Sequence, residues 1–154
     1  MGGTIERKLA DMGLGLPEAP APAANYVPFV RVGELLFVSG QVAKDENGLI
    51  VGKLGDDIPV SEGQRAARAC ALNLLAQVRT ACDGDLGRLV QVVKLTGFVN
   101  STPDFTDHPQ VINGASDLFG ALLGDIGAHA RAAVGSSSLP LGVAVEVEGV
   151  FRIR

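Results

Sequence analysis

Ala130-Arg-Ala-Ala-Val-Gly-Ser136 and Val143-Ala-Val-Glu-Val-Glu-Gly-Val-Phe-Arg-Ile153 are the stretches whose reading decides the fold. Both read as strands, with β-branched residues at alternate positions and the turn-forming run Ser137-Ser-Leu-Pro-Leu-Gly142 between them. Strand side chains alternate, so parity sorts them onto two faces. In the second stretch Val143, Val145 and Val147 share one face, and Ala144, Glu146 and Glu148 the other. In the first, Val134 has the parity opposite to Arg131, Ala133 and Gly135. If the two strands form a hairpin and their valines line one core, Arg131 shares the remaining face with Glu146 and Glu148. A guanidinium there offers a bidentate fork for a carboxylate, and a glutamate can hold a water or move a proton. Ala133 and Gly135 leave room beside the charges. The same pattern also fits a cross-strand ion pair that only stabilises the sheet, usually by less than about 1 kcal/mol.

Outward from these strands, Val111, Ile112, Ala115, Leu118, Phe119, Leu122, Leu123 and Ile126 recur at three- and four-residue steps. They predict a helix with Pro109 in its first turn and Gly127 as its stop. Leu89 to Val99 is apolar on both faces and reads as a central, doubly covered strand. Ser61-Glu-Gly-Gln64 is a capping-box pattern opening a second helix to about Cys82, with Cys70, Leu74, Val78 and Ala81 on one stripe. Phe29 to Val32 and Glu34 to Ser39 read as strands turned by Gly33, and Asn47-Gly48 marks a tight turn. Thr4 to Leu14 predicts a short helix, followed by an extended lead-in enforced by Pro17, Pro20, Pro22 and Pro28. The order suits a single α+β domain, a mainly antiparallel sheet with two helices packed on one face. Residues 1–28 form its N-terminal helix and lead-in, and 29–154 its body.

A chain of 154 residues, 47% hydrophobic and 19% charged, is long and apolar enough for one real core. The net charge of −4 argues against nucleic acid as a partner. Met1-Gly-Gly-Thr-Ile-Glu-Arg-Lys8 lacks the apolar core of a signal peptide, and no apolar run has transmembrane length. A cytoplasmic protein without membrane partners is the expectation. Cys70 and Cys82 lie about three helical turns apart, too far for a disulfide, and read as buried apolar residues. His108 and His129 are the only histidines, and nothing around them has metal-ligand spacing. His108 reads as an exposed helix-start residue and His129 as a loop residue.

The run His129-Ala-Arg-Ala-Ala-Val-Gly-Ser-Ser-Ser-Leu-Pro-Leu-Gly-Val-Ala-Val-Glu-Val-Glu-Gly-Val150 resembles the C-terminal signature of the Rid (YjgF) family. There an Ala-Arg pair leads to Leu-Pro and a Val-Glu-x-Glu strand. Tyr26, Ser39-Gly40-Gln41, the Ser61/Asn73 helix and Phe98-Val99-Asn100 match in order, so the resemblance runs from about Pro22 to the C-terminus. Gly97-Phe-Val-Asn-Ser101 and Val111-Ile-Asn-Gly-Ala-Ser116 are similar to a YjgF-like branch, also labelled endoribonuclease L-PSP. The resemblance implies a chorismate-mutase-like fold, a homotrimer with a cleft at each interface, and no metal or cofactor. It also implies hydrolysis of reactive 2-imino and enamine acids to 2-keto acids and ammonia. On that pattern Arg131 grips the substrate carboxylate and Glu146 handles the attacking water. Tyr26, Ser39, Asn113 and Ala133 would line the cleft, Asn113 from a helix position that reaches a neighbouring cleft. Ala133 stands where the family commonly has cysteine, and His129 where it has proline. The alternative is a trimer that holds a small carboxylate-bearing metabolite without turning it over.

Overall fold

The computed structural model describes residues 3–22 and 24–154; Met1, Gly2 and Ala23, part of the expected lead-in, lie outside the described residues. The apolar periodicities produce three helices, α1 (Thr4–Asp11), α2 (Val60–Ala81) and α3 (His108–Leu123). Cys70, Leu74 and Val78 on α2, and Val111, Ile112, Ala115, Leu118, Phe119 and Leu122 on α3, are buried as their spacing demands. Leu9 of α1 joins the same core. Several boundaries differ from expectation, and among the helices α1 stops at Asp11, three residues short of Leu14. α2 is capped by Pro59, without a side-chain hydrogen bond, so Ser61 sits inside the first turn and the capping box does not form. Gln64, freed from that task, donates from Nε2 to the Gln110 carbonyl at 2.9 Å. α3 ends at Gly124, whose φ of 60° a side chain would oppose, three residues before the expected stop.

Among the described residues seven strands accompany the helices: β1 (Phe29–Val32), β2 (Leu35–Val42), β3 (Lys44–Asp45), β4 (Gly48–Leu49), β5 (Leu89–Asn100), β6 (Ala130–Ser136) and β7 (Val145–Ile153). β3 and β4 form a separate small ribbon around Asn47-Gly48. The other five make one sheet in the order β1-β2-β7-β5-β6, antiparallel except for the parallel pair β5/β6. The parallel pair follows from the connection: α3 crosses back over the sheet between β5 and β6, as a parallel partner requires. The expected hairpin of the last two strands is therefore incorrect. β5 lies between them and pairs with both.

That order reverses the parity argument. Residues directly opposite in a ladder point to the same face. Arg131 lies opposite Leu95, and Ala133 opposite Gly97, on the face that α2 and α3 cover. Glu146 and Val134 both lie opposite Phe98, on the other face. Arg131 and Glu146 thus occupy opposite faces of one sheet. The shared-face reading assumed that Val134 is core, whereas it is 45% exposed. β5 also differs from its doubly covered reading, because the helices cover one face only. The open face carries Val30, Val32, Leu35, Phe37 and Val134, all exposed.

The helix pair leaves little slack. A Cβ at Gly114 on α3 would stand 2.1 Å from the Gln64 carbonyl oxygen on α2. Relief would need backbone movement. Gly114→Ala is therefore expected to lower stability by ~1–3 kcal/mol or more, despite alanine's better helix propensity. Urea unfolding checks this, and an unchanged midpoint would contradict the close approach.

Candidate functional site

Arg131 sits on the edge strand β6, and its guanidinium reaches toward one stripe of α3. Nη1 donates to Asn113 Oδ1 at 2.8 Å and to Ser116 Oγ at 3.1 Å, which uses both of its hydrogens. Nη2 donates one hydrogen to the Pro109 carbonyl at 3.4 Å. Residues 109, 113 and 116 follow four- and three-residue steps, so one helical stripe supplies all three acceptors. Among the described residues nothing accepts from Nε or from the second Nη2 hydrogen. Those two donors form one edge of the guanidinium plane, the geometry that takes both oxygens of a carboxylate. Ala133 and Gly135 extend along the strand on the same face.

A hollow of about 350 Å³ lies elsewhere on the chain, lined by Tyr26, Gly40, Gln41, Asn73, Leu141 and Glu146 among others. Its shape begins with an irregularity in the β2/β7 ladder between Val38 and Gln41. Ser39 and Gly40 occupy that irregularity. A Cβ on Gly40 would lie 3.0 Å from the Glu146 carboxyl carbon, so glycine here makes space for the acid. Ser39 Oγ donates to the Val27 carbonyl at 2.8 Å, tying the lead-in to the strand. Gln77 Nε2 donates to the Pro20 carbonyl at 2.7 Å, and Asn73 Nδ2 to the carbonyls of Val42 and Lys44. The prolines Pro20, Pro22 and Pro28 form one wall, with Tyr26, half-exposed, beside them.

Glu146 is half-buried, and among the described residues no protein group donates a hydrogen bond to its carboxylate. Burial first, and the charge of Glu148 second, push its carboxyl above the ordinary glutamate range. A carboxylate so placed accepts a proton from water more readily than an ordinary one. Cys70 is fully buried, and burial pushes its thiol up, so it is no nucleophile. Among the described residues no group of three or more His, Cys, Asp or Glu side chains could hold a metal ion. No described helix is long and apolar enough to cross a membrane.

Within this chain the expected site residues fall into two sets. Arg131, Asn113 and Ala133 lie at the β6/α3 edge, and Tyr26, Ser39 and Glu146 at the hollow. Asn113 spends its Oδ1 on Arg131. Sequence reasoning missed Ser116, although its three-residue step from Asn113 puts the two polar side chains on one helix face. It also missed what His129 does: Nε2 lies 2.8 Å from Ser116 Oγ and Nδ1 2.7 Å from the Gly127 carbonyl. His108 is half-buried against Phe105 and 3.3 Å from Ser101 Oγ, not an exposed helix-start residue.

The family model described as "YjgF/chorismate_mutase-like, putative endoribonuclease" matches residues 6–149. Protein TCP17 of Trypanosoma cruzi is 49% identical over 154 residues, covering 99% of this chain and 96% of its own. The crystal structure of Atu1372 from Agrobacterium tumefaciens, a protein of unknown function, is 47% identical with a TM-score of 0.92. That match covers 98% of this chain and 93% of the other. The 2-iminobutanoate/2-iminopropanoate deaminase of Dermatophagoides farinae is 24% identical over 143 residues, 92% of this chain and 95% of its own.

A carboxyl whose folded pKa lies above its unfolded value favours folding in its protonated form. Its stabilisation is present at low pH and is lost as pH rises through the folded pKa. Glu146→Gln is therefore expected to melt higher than the parent at about pH 7, with the gain gone at about pH 3.5, below the unfolded value. Calorimetry at both pH values checks the sign. A lower melting temperature at neutral pH would contradict the burial argument.

Proposed function

This chain belongs to the YjgF/chorismate mutase-like family, and from that premise we propose that it hydrolyses small 2-imino acids in a cleft shared by two subunits of a homotrimer. The carrying observation is the free edge of Arg131: three acceptors on α3 fix the guanidinium and leave Nε and one Nη2 hydrogen for a carboxylate. The named activity of the mite relative, on 2-iminobutanoate and 2-iminopropanoate, supplies a matching substrate class. Such substrates carry a carboxylate next to the carbon that reacts.

The separation of the two half-sites is what calls for a second subunit. Arg131 and Glu146 lie on opposite faces of one sheet, so a single subunit does not present them to one small molecule. A second copy, with its Tyr26/Glu146 hollow against the β6/α3 edge of the first, would do so. The apolar side chains of the open face give such an assembly surface to bury. Closed threefold symmetry repeats the composite cleft three times.

In that cleft Arg131 holds the carboxylate and orients the imine carbon beside Ala133. Glu146 of the neighbouring copy accepts a proton as water adds to C2 of the protonated imine, giving a neutral carbinolamine. It returns that proton to the nitrogen and then takes the hydroxyl proton as the C–N bond breaks, and ammonia and a 2-keto acid leave. One water is consumed, and no oxidation occurs. Orientation by Arg131 and proton transfer by a carboxyl of raised pKa are the two contributions to rate.

Generating 2-iminopropanoate in situ and following pyruvate release tests the reaction. Arg131→Ala is expected to lower kcat/KM by about 100-fold, the worth of a charge-assisted bidentate contact. Product release at the uncatalysed rate by the parent, with saturable carboxylate binding, would instead favour a protein that holds the metabolite. Unchanged kcat/KM in Arg131→Ala would remove Arg131 from the site.

A further inference from the structure

We propose that His129, acting through the Ser116 hydroxyl, is a positioning residue that sets the carboxylate-binding edge of Arg131. The inference rests on the carboxylate reading of Arg131, and its geometry is a directional chain of three hydrogen bonds. The Gly127 carbonyl can only accept, so the contact at 2.7 Å requires a proton on His129 Nδ1. A neutral imidazole then has a lone pair at Nε2, and Ser116 Oγ, 2.8 Å away, must donate to it. With its one proton spent, the hydroxyl presents only lone pairs to Arg131 Nη1, which donates at 3.1 Å. No link can reverse while the imidazole is neutral.

The start of the chain is itself fixed. A Cβ on Gly127 would lie 2.3 Å from the Phe119 carbonyl oxygen, so this turn packs backbone to backbone against α3. The Phe119 ring meets the imidazole edge-on, with centroids 6.2 Å apart and planes at 75°. His129 thus has a set ring plane, a set tautomer and one partner for Nε2. A serine on a helix otherwise tends to turn its hydroxyl toward the carbonyl four residues back, here Ile112. His129 holds it toward β6 instead. Ser116 and Asn113 together then occupy both Nη1 hydrogens and keep the Nε/Nη2 edge turned outward.

Two substitutions separate this role from support of the loop. Glutamine can place its Oε1 where Nε2 stands and accept from Ser116. Asparagine can place its amide where Nδ1 stands, keeping only the link to Gly127. With 2-oxobutanoate as an unreactive probe in calorimetric titration, His129→Gln is expected to bind within twofold of the parent. His129→Asn and Ser116→Ala are each expected to weaken binding about fivefold, the worth of one hydrogen bond. The Ser116→Ala/His129→Asn pair should be no weaker than the worse single variant, because both remove one pathway. Additive losses, or Asn tolerated better than Gln, would overturn the proposal.

A second measurement needs no ligand. The ¹⁵N shifts of His129 at neutral pH are expected to report the Nδ1–H tautomer. A dominant Nε2–H tautomer would overturn the chain whatever the titrations give. Binding that survives in His129→Asn and Ser116→Ala but is lost in Arg131→Ala refutes the relay and leaves the carboxylate reading standing. Equal binding by the parent and Arg131→Ala refutes that reading, and the relay's function with it.

Discussion

Strand β5 separates β6 from β7, and its ladder register assigns each of their side chains to a face. Because α3 returns the chain over the sheet, β6 enters parallel to β5 and takes the edge. The pairing of Leu95 with Arg131 then directs the guanidinium toward α3, where Asn113 and Ser116 meet it. The pairing of Phe98 with Glu146 sends the carboxylate to the opposite face, into the hollow beside the lead-in. A slip of one residue in either ladder would exchange those faces. Leu95, Gly97 and Val99 prevent it, because they must lie under the helices. A Cβ on Gly97 would meet Ile112 at 2.5 Å, so the sheet and α3 fit only in this register.

The two half-sites are built by different means. At the β6/α3 edge a charge is held by hydrogen bonds, and the helix stripe determines which donors remain free. At the hollow a charge is held by space. Gly40 leaves room for Glu146, and the Ser39–Val27 and Gln77–Pro20 bonds fix the proline wall that encloses it. Partial burial without a protein donor raises the cost of ionising Glu146, which stability at neutral pH must absorb. A cleft that handles a proton gains from that arrangement.

Much of this was legible in the chain because it depends on local period. The stripes of α2 and α3 and the bounds of β6 follow from spacing alone. The pairing of β6 did not, because alternation within a strand is the same whichever neighbour it finds. Val134 looked like core only while β7 was taken as that neighbour. Capping failed for a similar reason: Ser61 and Gln64 have the right separation, but the helix already starts from Pro59, two residues earlier. The family resemblance pointed to Arg131 and Glu146, while parity put them on one face and only the register separated them. The His129–Ser116 contact joins a loop to a helix, and only the fold brings it together. The polar pair Asn113 and Ser116, three residues apart, was nevertheless open to view beside the apolar stripe.

The central claim is that Arg131 of one subunit works with Glu146 of another, and mixed oligomers test it directly. Arg131→Ala and Glu146→Gln proteins, each inactive alone, would be unfolded together and refolded at equal concentrations. Random assembly gives an intact arginine and an intact glutamate in about one quarter of composite clefts, so about a quarter of parent activity should return. If both groups act within one subunit, no cleft regains the pair, and the mixture stays inactive.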